Sequence, residues 1–129
     1  TEYRVSAIMR RGGPVLAPDT PIRRAVAALV EARAAAAPVC DETGALVGIL
    51  TQKDCFRPVL HASYYQEWTG RTLDYMTRDV VCVDVETEVI RVAERFLACP
   101  HRVLPVVDEG SVAGLVHRSD VLALLVRIG

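Results

Sequence analysis

Hydrophobic and polar positions follow the same order twice along this 129-residue chain. Residues from Met9 onward match residues from Met76 onward at an offset of 67, and a one-residue deletion then changes the offset to 66. This register pairs Thr20 with Thr87, Ile22 with Val89, Val26 with Ala93, Leu29 with Phe96, Pro38 with Pro105, Asp41 with Asp108, Gly44 with Gly110, Gly48 with Gly114, and Asp54 with Asp120. So many matches in one order predict two structural repeats.

Each repeat begins with a short apolar run, at 14–17 and 80–83, of the kind that forms a buried strand. An amphipathic helix is predicted next, with Thr20 or Thr87 as its N-cap and Pro21 at the first helical position of the first copy. Its apolar residues recur at helical spacing and form one stripe: Ile22, Ala25, Val26, Leu29 and Val30 in the first copy, and Val89, Val92, Ala93, Phe96 and Leu97 in the second.

Two apolar runs joined by a glycine-containing turn come next in each copy, at 37–41 and 46–50 and at 103–108 and 112–116. They predict a β-hairpin. Closing helices are expected over 52–60 and 118–128. Pro58 strains the first of them unless that helix begins late enough to have Pro58 near its start. Each repeat is therefore β-α-β-β-α, a mixed α/β class that some schemes call α+β.

These elements predict a first repeat over 1–60, including an N-terminal segment, and a second repeat over 73–129. Residues 61–72, HASYYQEWTGRT, are polar and aromatic and are interpreted as a partly helical linker. One repeat of this size buries its apolar surface poorly alone. We therefore expect the two sheets to pack face to face about a pseudo-twofold axis, with binding grooves between the halves.

Composition narrows the classes of partner. The formal net charge of -1 lacks the basic excess that nucleic-acid binding uses, and no apolar run reaches the roughly 20 residues of a membrane-spanning helix. The four cysteines contain no C-x-x-C pair, which argues against a zinc or dithiol site and favours reduced thiols in the cytoplasm.

The motifs themselves resemble the tandem cystathionine-β-synthase (CBS) repeat, also called the Bateman module. The resemblance runs through the leading turns SAIM and LDYM, the strands APVCDETGALVGIL and LPVVDEGSVAGLV, and the tails GILTQKD and GLVHRSD. It covers nearly the whole chain and implies a regulatory module that binds AMP, ADP or ATP in the cleft between the repeats.

The tail pattern G-h-h-[ST]-x-x-D, where h is apolar, carries ligand contacts in that family, and Asp54 and Asp120 occupy its acidic position. A carboxylate there can accept hydrogen bonds from two ribose hydroxyls, while the helix amides suit a phosphate. Thr51 supplies the hydroxyl of the pattern, and His117 replaces it in the second copy. Helix capping by the two aspartates is the alternative that residue type alone favours.

Further candidates follow from the same resemblance. The phosphate candidates are Lys53, Arg57, Arg102, His117 and Arg118, and ordinary solvated surface cations are the alternative. The adenine-pocket candidates are Val15, Leu16, Ala36, Ala37, Cys82 and Val83, for which core packing is an equally good explanation.

Nothing in the sequence indicates catalysis or a metal site: it has no H-x-x-x-H spacing, Walker A loop or G-x-S-x-G motif. The resemblance implies no cofactor beyond the regulatory nucleotide. It also implies either attachment to a host enzyme, channel or transporter or a small stand-alone protein, and a homodimer formed through the apolar closing helix. Two alternatives stay open. One is a ligand-free dimerisation or autoinhibitory module, and the other is a binder of S-adenosylmethionine or a polynucleotide.

Overall fold

The computed structural model describes residues 3–129, which divide into two compact units. The first unit is Gly13–Val80, and the second combines the residues up to Gly12 with Val81–Gly129. The helices are α1 (Ile22–Ala32), α2 (Gln52–Tyr65), α3 (Thr72–Tyr75), α4 (Val89–Ala98) and α5 (Arg118–Ile128), and a short 3-10 helix spans Val5–Ala7. The strands are β1 (Ala36–Cys40), β2 (Leu46–Thr51), β3 (Val83–Asp84), β4 (Val103–Asp108) and β5 (Ser111–His117).

The first unit is built on the antiparallel β1–β2 hairpin. Leu16 lies parallel to β1, where its amide donates to Pro38 and its carbonyl accepts from Cys40. Packing buries one face of α1 and the start of α2 against this hairpin, because their apolar residues share one stripe. The buried cluster consists of Leu16, Ile22, Ala25, Leu29, Ala37, Val39, Leu50 and Cys55.

The second unit has a three-stranded sheet in the order β3-β4-β5, with β3 parallel and β5 antiparallel to β4. Helices α4 and α5 cover it. The core is aliphatic and consists of Val5, Val83, Val89, Val92, Leu104, Val106, Val116, Val121 and Leu124. Both units thus contain the predicted order of hairpin and helices, and the mixed helix and strand class is confirmed.

The segment that leads into each repeat, residues 5–10 in the first repeat and 72–77 in the second, packs in the unit that contains the rest of the other repeat. These two stretches are called the leading segments. Val5 donates its amide to the carbonyl of Thr87 in the second unit, and Thr72, which is 67 residues further on, donates to the carbonyl of Thr20 in the first. The Thr72 hydroxyl adds a second bond to that carbonyl and is fully buried. Each compact unit therefore combines the main part of one repeat with the leading segment of the other.

Three predicted boundaries differ from the structure. The run 14–17 forms only an isolated bridge at Leu16, because flanking prolines at 14 and 18 offer no amide to a ladder. Of the run 80–83, only Val83 lies in a strand, the two-residue β3, which continues to Asp84. Helix α2 starts at Gln52, contains Pro58 inside it and continues to Tyr65, so its last turn occupies the start of the predicted linker.

The predicted threonine N-caps are wrong. Helices α1 and α4 begin after Pro21 and Glu88, and neither residue donates or accepts a side-chain capping bond. The Thr20 hydroxyl instead accepts a hydrogen bond from the Ala17 amide. Both threonine carbonyls bind the leading segments, as described above, which accounts for their matched positions in the repeats.

Candidate functional site

Asp54 lies in the first turn of α2, where it forms a reciprocal capping box with Thr51. The Thr51 hydroxyl accepts from the Asp54 amide at 3.2 Å, and Asp54 Oδ2 accepts from the Thr51 amide at 3.0 Å. The Thr77 hydroxyl reaches the same oxygen at 3.5 Å. Among residues 3–129, both bonds to the Asp54 carboxylate fall on Oδ2. Thr51, Asp54 and Thr77, all in the first unit, are called the Asp54 site below.

Asp120 occupies the matching position in α5, but its carboxylate is held by an arginine. Arg10 Nε donates to Oδ2 at 2.8 Å and Nη2 donates to Oδ1 at 3.0 Å, so both oxygens are engaged in a bidentate ion pair. His117 stands at the N-cap and makes no side-chain capping bond. Arg10, His117 and Asp120, all in the second unit, are called the Asp120 site below.

The pKa values of Asp120 and His117 are both lowered. The hydrogen bond from Arg10 lowers the pKa of Asp120 below the usual carboxyl range, and the Arg10 charge adds to the effect. Burial lowers the pKa of His117, since it disfavours the charged imidazolium, and the nearby Arg10 charge lowers it further. The Nδ1 atom of His117 is shielded from solvent and has no hydrogen-bond partner in the described part of the chain. The site therefore holds a cation, a carboxylate and a neutral imidazole.

Backbone pairing places Arg10 and Thr77 at equivalent points. Arg10 exchanges two hydrogen bonds with Leu115 of β5, at 2.7 and 2.9 Å, and Thr77 exchanges two with Ile49 of β2, at 3.0 and 2.9 Å. Leu115 and Ile49 each lie five residues before the aspartate of their unit, so the residue at position 10 or 77 lies beside that carboxylate.

Two glycines allow this close approach. A Cβ at Gly114 would lie 2.6 Å from the Arg10 carbonyl oxygen, which is backbone. A Cβ at Gly48 would meet the flexible Met76 side chain at 2.6 Å and the Thr77 carbonyl oxygen at 3.0 Å. The glycine of the tail pattern thus admits the leading segment of the other repeat.

The remaining candidate cations are on the surface. Lys53 and Arg57 are exposed on α2. Arg102 and Arg118 are also exposed, and the Arg118 amide donates to the Arg102 carbonyl at 2.9 Å, which brings these two residues together in the second unit.

The adenine-pocket candidates divide by burial. Leu16, Ala37 and Val83 belong to the hydrophobic cores, as the core-packing alternative predicted, and Ala36 is buried as well. Val15 is 59% exposed, and Cys82 is half-buried.

Sequence reasoning missed Arg10 and Thr77. The signal was present, since these residues directly follow the matched methionines Met9 and Met76 at the offset of 67. The sequence did not indicate that each leading segment pairs with the last strand of the other repeat. Only the fold shows that pairing.

Within residues 3–129, no group of three or more His, Cys, Asp or Glu side chains could hold a metal ion. No helix in that range combines the length and apolar character needed to cross a membrane.

Comparison with known proteins identifies the class. The CBS domain family matches residues 5–61 and 73–127, and the chain therefore belongs to that family. CBS-pair modules are in general regulatory rather than catalytic.

Individual relatives agree with this assignment. The uncharacterized protein MJ1225 of Methanocaldococcus jannaschii is 27% identical over 121 residues, and the match spans 94% of this chain but 42% of that protein. CBSX2, from Arabidopsis thaliana, has a crystal structure in complex with AMP that gives a TM-score of 0.82 at 28% identity over 98% of both chains. The CBS domain pair of protein MJ0100, in complex with 5′-methylthioadenosine and S-adenosyl-L-methionine, gives 0.84 at 25% identity over 100% of both chains.

Proposed function

We propose that this chain is a non-catalytic sensor of adenine nucleotides, AMP, ADP or ATP, that binds them at the Asp54 and Asp120 sites. The observation that carries the proposal is the Thr51–Asp54 capping box, which holds the aspartate of the family tail pattern at the start of α2. The AMP complex of CBSX2 supports an adenosine ligand for this chain, since the likeness extends over nearly all of both proteins.

The Asp54 site suits a ribose for three reasons. Capping fixes the carboxylate through Oδ2, so Oδ1 is left to accept a sugar hydroxyl. The Thr51 hydroxyl accepts one bond from Asp54 and keeps its own proton, which it can donate to a sugar or phosphate oxygen. The positive end of the α2 dipole favours an anion close by.

A binder of S-adenosylmethionine is the second candidate, because the MJ0100 domain pair with that ligand is comparably similar. Both candidates share the adenosine group and differ in the charge beyond the ribose. Sulfonium ligands carry a positive charge there and nucleotides a negative one, so a comparison of the two separates them. A module that acts without a ligand binds neither.

Ligand binding would act through a population shift. A nucleotide with different affinity for two arrangements of the chain favours one of them, and a host enzyme, channel or transporter responds to that arrangement. The four cysteines are all free thiols, which supports a reducing compartment and hence the cytoplasm.

We also propose a homodimer formed through the closing helices. Val121 and Leu124 belong to the core of the second unit, whereas Leu122 and Val126 are 60% and 80% exposed on one face of α5. The matching residues of α2, Phe56 and Leu60, are exposed as well, so both repeats present the same apolar pair.

Light scattering should give twice 14.1 kDa for the wild type and a single chain for Val126→Lys. Ile90→Lys, which changes an exposed apolar residue of α4, is the control, and a monomeric wild type would contradict the proposal.

Thermal-shift measurements with adenosine, AMP, ADP, ATP and S-adenosylmethionine test the sensor function. A ligand at a hundred times its Kd stabilises the folded chain by about 2.7 kcal/mol. Asp54→Asn keeps an oxygen that can cap α2 but removes the charge, and each charge-assisted bond to ribose contributes about 1.5 to 3 kcal/mol. We expect Asp54→Asn to lose most of the adenosine shift with unchanged circular dichroism. If none of the ligands shifts the wild type, the sensor function is wrong and the ligand-free module is favoured.

A further inference from the structure

Arg10 covers the carboxylate on which ligand binding at the Asp120 site depends. Its guanidinium engages Oδ1 and Oδ2 together, at 3.0 and 2.8 Å. A ribose hydroxyl therefore meets two oxygens that already accept from Arg10, and it has to compete with the guanidinium while the pair is formed. The two side chains are 57% and 30% exposed, so the pair can open without disturbing the hydrophobic core.

The Asp54 site has no such cover. Thr77 occupies the equivalent position, and its hydroxyl lies 3.5 Å from the single oxygen Oδ2. An uncharged hydroxyl at that distance competes weakly with a ligand, since a hydrogen bond involving two charged groups is roughly twice as strong as a neutral one. One residue difference, arginine or threonine, thus changes what a ligand must displace.

On the basis of the proposed function, we infer that Arg10 determines ligand specificity at the Asp120 site: it disfavours neutral nucleosides relative to nucleoside phosphates. A nucleoside that binds Asp120 must leave Arg10 without its carboxylate partner. A nucleoside phosphate supplies a replacement anion, and a guanidinium pairs with phosphate in the same bidentate manner as with carboxylate. Thr77 gives the Asp54 site no such requirement, so that site accepts neutral nucleosides.

Calorimetry with adenosine and AMP tests this inference in an Asp54→Asn background, where the remaining binding reports on the Asp120 site. We expect AMP to bind at least about tenfold more tightly than adenosine, the factor that about 1.4 kcal/mol represents. Arg10→Thr should reduce this ratio to about threefold or less, because adenosine gains the free carboxylate and AMP loses the guanidinium; opening an exposed ion pair accounts for a change of this size. Arg10→Gln tests the same loss of charge with a longer side chain if the threonine variant folds poorly.

Two further variants complete the design. Arg11→Thr removes the same charge from the neighbouring exposed residue and should leave the ratio unchanged. Thr77→Arg, in an otherwise wild-type chain, should weaken adenosine binding at the Asp54 site and raise the AMP preference there.

The outcomes separate this inference from the proposed function. If AMP and adenosine bind but Arg10→Thr leaves their ratio unchanged, or lowers both affinities equally, the specificity role of Arg10 is wrong and the sensor function stands. If the wild type binds neither compound, the role of Arg10 is wrong, and the sensor function is wrong as well if ADP and ATP also fail to bind.

Discussion

The starts of α2 and α5 occupy equivalent positions in the two repeats, yet they stabilise the same aspartate in different ways. At α2 the carboxylate caps the helix backbone together with Thr51. At α5 the capping hydroxyl is absent, since His117 stands there, and the carboxylate pairs with Arg10. Two matched positions differ between the repeats: Thr51 corresponds to His117 before the helix, and Thr77 corresponds to Arg10 in the leading segment.

Under the proposed function, one repeat geometry provides two kinds of binding site. A capping box is local and insensitive to salt, so it keeps the Asp54 carboxylate in one orientation. An exposed ion pair contributes little to stability, about 0 to 1 kcal/mol, and weakens as salt screens it. The Asp54 site is therefore preorganised, whereas the Asp120 site depends on a partner that can leave.

The largest expected effect comes from removing the close approach that places Arg10. Gly114→Ala sets a Cβ against the Arg10 carbonyl oxygen, and rigid backbone cannot move aside cheaply. We expect a loss of about 3 kcal/mol in the free energy of unfolding, at the upper end of overpacking costs, and about 1 kcal/mol for Gly48→Ala, where the Met76 side chain can yield. Urea unfolding followed by circular dichroism measures both. Equal losses would show that the two leading segments are held equally tightly.

Helix capping gives the next largest difference between the repeats. Thr51→Ala removes the hydroxyl that accepts from Asp54 and should cost about 1 kcal/mol in the free energy of unfolding. His117→Thr introduces a capping hydroxyl at α5 and also removes an imidazole whose Nδ1 is buried without a partner. We expect that variant to be more stable than the wild type in urea unfolding at neutral pH. A destabilised His117→Thr would indicate that the imidazole contributes packing that a cap does not replace.

The smallest expected effect is the acid dependence of the Arg10–Asp120 pair. Because Arg10 lowers the folded-state pKa of Asp120 below its ordinary value of 3.8, the pair contributes stability above that pH. This contribution is lost as the pH falls through the lowered pKa. The stability difference between the wild type and Arg10→Thr should be at most about 1 kcal/mol at pH 7 and should disappear at low pH and in high salt. An NMR titration of the Asp120 carboxyl carbon gives the pKa directly, and an ordinary value would contradict the pairing.

Much of the architecture could be predicted because its signals are local. Each hairpin follows from apolar runs around a glycine turn, and α1 and α4 follow from apolar residues at helical spacing. The repeat register also placed Asp54 and Asp120 at equivalent helix starts, where both are found. The capping box of Thr51 and Asp54 depends on residues three apart, so the sequence alone was sufficient to indicate it.

The partners of those aspartates were decided by the tertiary structure. Arg10 and Asp120 are 110 residues apart, and no local pattern joins them. They meet because the leading segment of the first repeat pairs with β5, and Gly114 leaves room for its backbone. Likewise, the roles of Thr20 and Thr87 depend on carbonyls that bind a distant segment rather than on helix capping. The sequence determined the elements and the two acidic positions. Contacts between distant segments decided that Asp120 pairs with an arginine and that Asp54 lies beside a threonine.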